Sequence, residues 1–284
     1  MHYHSPHRAC WFRLIAAGSA ILFLVFAMTI PSTAKDGPVE VDVELVLAVD
    51  ISYSMDPEEQ RLQREGYAQA FLSPSFLAAV KNGAYGRIAV VYLQWASQTD
   101  QDVLLPWTLI DGADSARSVA DKLSGAPYRR AQRTSISGAI DSAMKLFEGN
   151  GFHGMRRVID VSGDGTNNSG RPVTIARDEA IKHGVTINGL PLLLRPSSWG
   201  FGDISNLDVY YEDCVIGGVG AFSIPIREPS QFSEATRTKL VLEIALAPVV
   251  KPWNEGAKVT LVQRREPRVD CMVGESLWRN RWGN

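Results

Sequence analysis

Leu45-Val46-Leu47-Ala48-Val49 is an unbroken apolar run that leads into Asp50-Ile51-Ser52-Tyr53-Ser54 and then Asp56-Pro57-Glu58-Glu59. Because every residue of the run is apolar, it fits a central parallel strand covered on both faces. The acidic stretch is a helix start, with Asp as N-cap, Pro at the first helical position and Glu in the first turn. A buried strand that passes through a polar loop straight into a helix restricts the chain to α/β architecture. It also sets the loop at the carboxyl end of the strand, where open α/β sheets bind their ligands. The loop offers one carboxylate and two hydroxyls spaced by two residues. These are hard oxygen ligands, suited to Mg2+, Mn2+ or Ca2+ and poor for zinc.

Strand and helix patterns alternate along the rest of the chain, which argues for a parallel sheet with covering helices. Strands are expected over residues 43–49, 87–95, 102–107, 157–161, 185–190 and 221–226. Helices are expected over 56–71, 114–123, 135–147, 173–182 and 231–245. Ser73-Pro74 closes the first helix, and Pro106 suits an edge strand antiparallel to its predecessor. Residues 195–206 read as a surface loop, and 208–214 start a helix that Gly217-Gly218 breaks. Beyond Pro248 only 258–263 reads as a strand, followed by a polar tail. The expected fold is a three-layer Rossmann-like α/β sandwich, with a mostly parallel sheet, one antiparallel edge strand and helices on both faces.

The first segment reads as an export signal. Arg8 and Arg13 give a positive start, residues 14–30 are apolar and uncharged, and Ser32-Thr33-Ala34 supplies the small residues of a cleavage site. Cleavage is expected after Ala34. A retained anchor is the alternative, since the uncharged span is near the minimum for crossing a bilayer. The organisation that follows is a signal peptide over 1–34, an α/β domain over 35–246 and a C-terminal extension over 247–284. Of the 29 basic residues Arg8 and Arg13 leave with the signal, so 27 face 31 acidic ones and the formal charge becomes −4. No basic stripe with interleaved aromatics points to nucleic acid. Cys10 also leaves. Cys214 and Cys271 remain in an oxidising compartment, periplasmic or extracellular, where they either pair and tie the extension back or stay as two small buried hydrophobes.

Two further segments complete the first motif. Arg133-Thr134-Ser135 places a threonine just before a helix, and Asp160-Val161-Ser162-Gly163-Asp164-Gly165 places an aspartate just past a strand. Three loops on one sheet edge then converge on one ion. Asp50 and Asp164 balance a divalent charge, while Ser52, Ser54 and Thr134 fill positions without adding charge. Such a metal retains an appetite for an anion. The Asp-x-Ser-x-Ser, distant Thr and distant Asp-Gly pattern resembles a von Willebrand factor A-type domain with a metal-ion-dependent adhesion site, over about residues 41–226. The strings Arg156-Arg157-Val158-Ile159-Asp160-Val161-Ser162-Gly163-Asp164-Gly165 and Tyr210-Tyr211-Glu212-Asp213-Cys214-Val215-Ile216-Gly217-Gly218 are similar to those of an exported bacterial family of unknown function built on that domain. The resemblance implies that a partner's carboxylate completes the metal, and that movement of the Thr134 loop is coupled to affinity. Tyr53, Gly165, Asn167 and Asn168 are expected at the rim or behind the ligands. Asp160 lies inside a strand, where it either braces the metal loops or pairs with Arg156 or Arg157.

The main expectation is therefore metal-dependent binding of a protein or peptide in the cell envelope, through an acidic side chain. Two alternatives stand beside it: a structural domain whose metal only fixes loops, and a phosphohydrolase acting through Asp50. The last lacks the second aspartate such enzymes carry, since Ser52 holds that position. Only His153 and His183 outlast the signal, and no nucleophile elbow or phosphate loop appears. Asp50-x-Ser-x-Ser by itself also suits a plain capping loop. Asn167-Asn168-Ser169 is formally a glycosylation acceptor, here read as a loop near the site. The tail residues Trp278, Arg279, Arg281 and Trp282 read as a frayed terminus.

Overall fold

The structure is a computed structural model that describes residues 37–194, 204–245, 260–261 and 267–282. The export segment with its cleavage point, and most of the expected loop over 195–206, lie outside the described residues. In chain order the elements are β1 (Val39–Asp50), α1 (Pro57–Leu72), α2 (Pro74–Lys81), β2 (Ile88–Trp95), β3 (Gln101–Ile110), α3 (Ala113–Gly125), α4 (Ile136–Leu146) and β4 (Phe152–Gly163). They continue with α5 (Val173–Lys182), β5 (Val185–Pro191), α6 (Leu207–Tyr210), β6 (Phe222–Ser223), α7 (Phe232–Ile244), β7 (Thr260–Leu261) and α8 (Val273–Trp282).

The strands form one sheet in the order β3-β2-β1-β4-β5-β6-β7. β1 lies at its centre, parallel to β2 on one side and to β4 on the other, with Asp50 opposite Trp95 and Val49 opposite Ser162. β3 is the antiparallel edge strand expected from Pro106, and its register slips around Tyr92. At the other edge the two-residue β7 also pairs antiparallel, within the stretch 258–263.

Alternation along β1 explains why residues 45–49 are apolar at every position. Val43, Leu45, Leu47 and Val49 enter a core with Tyr67 and Phe71 of α1, Phe76 of α2, Val119 of α3 and Leu240 of α7. Val46 and Ala48 enter the opposite core with Ile136 and Ile140 of α4 and Ala176 of α5. Each such side chain, fully buried, contributes about 1.5–3 kcal/mol. The sheet therefore has helices on both faces, as expected.

Four elements differ most from the sequence reading, β1, β4, α2 and α8. β1 and β4 each begin several residues earlier than expected, at Val39 and Phe152. The start of β1 was illegible because Asp42, like Glu44 within the expected strand, is a buried acid serving loop amides. Asp42 accepts from the N–H of Tyr85 and Arg87, and Glu44 accepts from Asn150 Nδ2 and the Gly154 N–H. Ser73-Pro74 both ends α1 and starts α2, with Ser73 Oγ accepting from the Phe76 N–H. Most consequential, the tail is no frayed terminus. It folds as α8, tied down by a Cys214–Cys271 disulfide. Among the described residues no helix is long and apolar enough to cross a membrane.

Candidate metal centre

The centre is built where β1 and β4 deliver their carboxyl ends side by side. α1 begins five residues after Ser52, and its entry is fixed by a reciprocal cap. Asp56 Oδ1 accepts from the Glu59 N–H while Glu59 Oε2 accepts from the Asp56 N–H, both at 2.8 Å. The loop between is stitched to the segment before Thr134. Tyr53 N–H donates to the Ala131 carbonyl at 2.8 Å, and Ala131 N–H to the Ile51 carbonyl at 2.9 Å.

Asp50 is fully buried. Its Oδ1 accepts from the Ser52 N–H at 2.7 Å, and its Oδ2 has no hydrogen-bond partner among the described residues. Ser54 Oγ donates to Asp164 Oδ1 at 2.7 Å, and the Ser52 and Ser54 hydroxyls lie 2.7 Å apart. Four of the five expected ligand residues thus form one continuous cluster. Thr134 adjoins it from the second loop: a Cβ on Gly165 would meet Thr134 Oγ1 at 3.5 Å. Burial pushes the Asp50 carboxyl up to about 7, against the opposing effect of hydrogen bonds from Ser52 and the Asp164 N–H. A buried carboxylate with an unpartnered oxygen, beside a second carboxylate and two hydroxyls, is a donor set that a divalent cation satisfies. Asp50, Ser52 and Thr134 are buried, whereas Ser54 and Asp164 are half-buried, so the cluster opens to solvent on their side.

Asn167 and Asn168 hold the third loop to the second. Asn168 Oδ1 accepts from the Thr134 N–H at 2.9 Å, and the Asn168 N–H returns a bond to the Thr134 carbonyl at 2.8 Å. Asn167 Oδ1 accepts from the Ser137 N–H at the start of α4. Asn167 is fully buried, so the formal glycosylation acceptor is a structural residue. Tyr53 is exposed at the rim.

Asp160 neither reaches the rim nor pairs with an arginine. It is buried in β4, accepting from Tyr67 Oη at 2.9 Å and pairing with Lys239 Nζ of α7 at 2.7 Å. Arg156 donates instead to the Glu243 and Ile244 carbonyls, and Arg157 pairs with Glu44. Sequence pattern does not reveal Lys239 as the partner, because a charged residue on a helix ordinarily marks the solvated face.

Sequence reasoning also missed the inner wall and the tail. Tyr211 Oη is buried with no hydrogen-bond partner among the described residues, and its acidity is weakened by burial and by Asp50 and Asp164 nearby. The similar string around Tyr210-Tyr211 was the available signal. From α8, Glu275 Oε1 accepts from Asn167 Nδ2 at 2.7 Å, and Trp278 stacks on the Arg133 guanidinium at 4.3 Å. His153 lies at the opposite end of β4, paired with Glu40, and His183 Nδ1 meets the Glu179 carbonyl at the end of α5. Neither is near the cluster.

A family model described as "Protein of unknown function (DUF1194)" matches residues 40–248. No curated protein matches the chain. Among solved structures, proximal thread matrix protein 1 of the mussel byssus, with a zinc-occupied MIDAS motif, superposes with a TM-score of 0.54 at 15% identity. That match covers 73% of this chain and 48% of the mussel protein. A von Willebrand factor type A protein from Catenulispora acidiphila scores 0.50 at 16% identity, covering 72% and 43%. The pilus adhesin SpaC of Lactobacillus rhamnosus GG scores 0.51 at 13% identity, covering 74% and 31%. The chain therefore spans less than half the length of each, and at these identities the likeness is one of fold.

Proposed function

The chain belongs to the DUF1194 family of proteins of unknown function and has a von Willebrand factor A fold; we propose that it is a metal-dependent protein- or peptide-binding module of the cell envelope. The observation that carries this reading is the buried Asp50, with its unpartnered oxygen, clustered with Ser52, Ser54 and Asp164 at the carboxyl edge of the sheet. Asp50, Ser52, Ser54, Thr134 and Asp164 would hold the ion. Mg2+, Mn2+ and Ca2+ suit this oxygen set, and the zinc in the mussel protein's motif adds zinc to the ions to test. Bound there, the metal supplies a Lewis-acidic position for a partner's carboxylate. The chain's own residues fix that position: the Ser52 N–H orients Asp50, and Asn168 holds the Thr134 loop.

The loop-fixing alternative is weaker, because the chain's own Ser54–Asp164 and Thr134–Asn168 hydrogen bonds join the three loops. Catalysis through Asp50 finds no proton-transfer partner in His153 or His183. Export to the periplasm or beyond is supported by the apolar segment 14–30 and by the Cys214–Cys271 bridge.

Titration calorimetry with Mg2+ tests the reading. Wild type is expected to bind with one-to-one stoichiometry, and Asp50→Ala to lose binding while keeping its circular dichroism spectrum. Unchanged Mg2+ affinity in the folded variant would overturn the site.

A further inference from the structure

Beside the candidate metal centre lies an open cleft of about 610 Å³, within the size range of ligand sites. Its walls include Tyr53, Gln98, Asp100, Arg130, Arg133 and Ser169. Tyr53 is the residue between the two site serines, Arg133 directly precedes Thr134, and Ser169 directly follows Asn168. The cleft therefore shares all three metal-loop segments and adds the loop between β2 and β3, residues 97–100. The Ser52–Ala131 bridge fixes the floor.

The charge of this cleft is one-sided. Asp100 is engaged by Arg129. Arg130 and Arg133 are exposed, and among the described residues no acidic side chain pairs with either. Both are nonetheless held in place. Arg130 donates to the Tyr53 carbonyl at 2.5 Å and lies 5.2 Å from the centre of the Tyr53 ring. Arg133 stacks on Trp278 of the disulfide-tethered α8. Arg133 also has φ of +67°, the single non-glycine residue with positive φ among the described residues. Strain of this kind costs about 1–3 kcal/mol and persists only where the surrounding structure imposes it, often at ligand sites. Two positioned guanidiniums without counter-charges, next to a site for one carboxylate, fit a second anionic group on the same ligand.

We infer that the partner is an acidic peptide segment with two carboxylates, one for the metal and a second, a few residues away, for Arg130 and Arg133. This rests on the metal-dependent binding reading above. The cleft's hydrogen-bonding groups, Gln98 and Ser169, suit the peptide backbone between the two acids.

The test uses acetylated, amidated glycine-rich heptapeptides carrying a fluorophore. One has a single central Asp; the others add a Glu two or three residues to either side. Anisotropy is read on the full exported chain at a Mg2+ concentration that saturates the site by calorimetry, and again with chelator. The best two-acid peptide should bind about tenfold tighter than the single-acid one, an advantage typical of a well-placed charged hydrogen bond. In Arg130→Gln with Arg133→Gly that ratio should fall to near one. Glycine at 133 accepts the left-handed backbone, so the loop keeps its shape. Equal affinity of all peptides for wild type would overturn the two-acid proposal and leave the metal reading intact. A ratio that survives the double variant would overturn the assignment to these arginines. If no peptide binds at saturating Mg2+, the metal–carboxylate reading itself fails, and this inference fails with it.

Discussion

At Gly163 an added methyl group would lie 2.8 Å from Asp50 Oδ2 and 3.1 Å from Tyr211 Oη. Gly163→Ala should therefore destabilise the fold by about 1–3 kcal/mol, as overpacking of a rigid site does. Urea denaturation measures this, and Tyr211→Phe in the same chain should restore part of the loss by removing one of the two clashing oxygens. A second residue-scale effect concerns charge. Lys239 lies between Asp160 and Glu243, all three buried, so one positive charge serves two carboxylates. Burial and the Asp160 charge push the Glu243 carboxyl up to about 7, with Lys239 opposing. A carboxyl raised in the folded state contributes stability that is full below its unfolded pKa and lost as pH rises through about 7. Glu243→Gln removes that loss and leaves a neutral Lys239–Asp160 pair. Relative to wild type, the variant should gain stability between pH 5 and pH 8, by the order of 2–3 kcal/mol. Parallel denaturation curves at the two pH values check it; a difference independent of pH would show that Glu243 is ionised throughout.

At the scale of the element, α8 is the part with most leverage on the centre. Gly274 packs so closely on the third loop that a Cβ would lie 2.1 Å from the Asn167 carbonyl oxygen. Gly274→Val should therefore lift α8 off, freeing Asn167 Nδ2 from Glu275 and Arg133 from Trp278. Hydrogen exchange at residues 166–169 should rise, while α1 and α4 stay protected. The bridge that seats α8 spans 57 residues of sequence, so chain entropy assigns it roughly 3–5 kcal/mol. Cys214→Ser with Cys271→Ser should lower the urea midpoint accordingly and reproduce the local exchange of the glycine variant. Midpoints equal to wild type would show that packing alone holds the helix.

For the whole molecule, metal and fold are thermodynamically linked. An ion that binds only the native state stabilises it by mass action, by about 2.7 kcal/mol at a hundred times its dissociation constant. The melting temperature of wild type should rise with Mg2+ and stay constant in Asp50→Ala. In the absence of metal, Asp50→Ala should melt at or above wild type, because burying Asp50 without a cation costs the apo fold free energy. A lower apo melting temperature in the variant would show that Asp50 stabilises the fold through hydrogen bonds alone.

Local pattern determined much of this protein. The apolar run through Val49, the capping residues of α1 and the alternation of strand and helix required a covered parallel sheet, because burial on both faces explains five successive strand positions, 45–49, without a polar side chain. That sheet in turn brought Asp50, Ser52, Ser54 and Asp164 to one edge, since parallel strands deliver their carboxyl ends together. Pro106 marked the antiparallel edge because it cannot donate to a ladder. What tertiary structure alone decided is where polar groups find partners across long separations. Asp42 extends β1 beyond its expected start because distant loop amides satisfy it. Lys239 is buried because Asp160 of β4 faces it. The tail is a helix because a disulfide and the Asn167 loop hold it in place, although its own ten residues are too few to form a stable isolated helix. These partners lie tens of residues apart, and no local period records them.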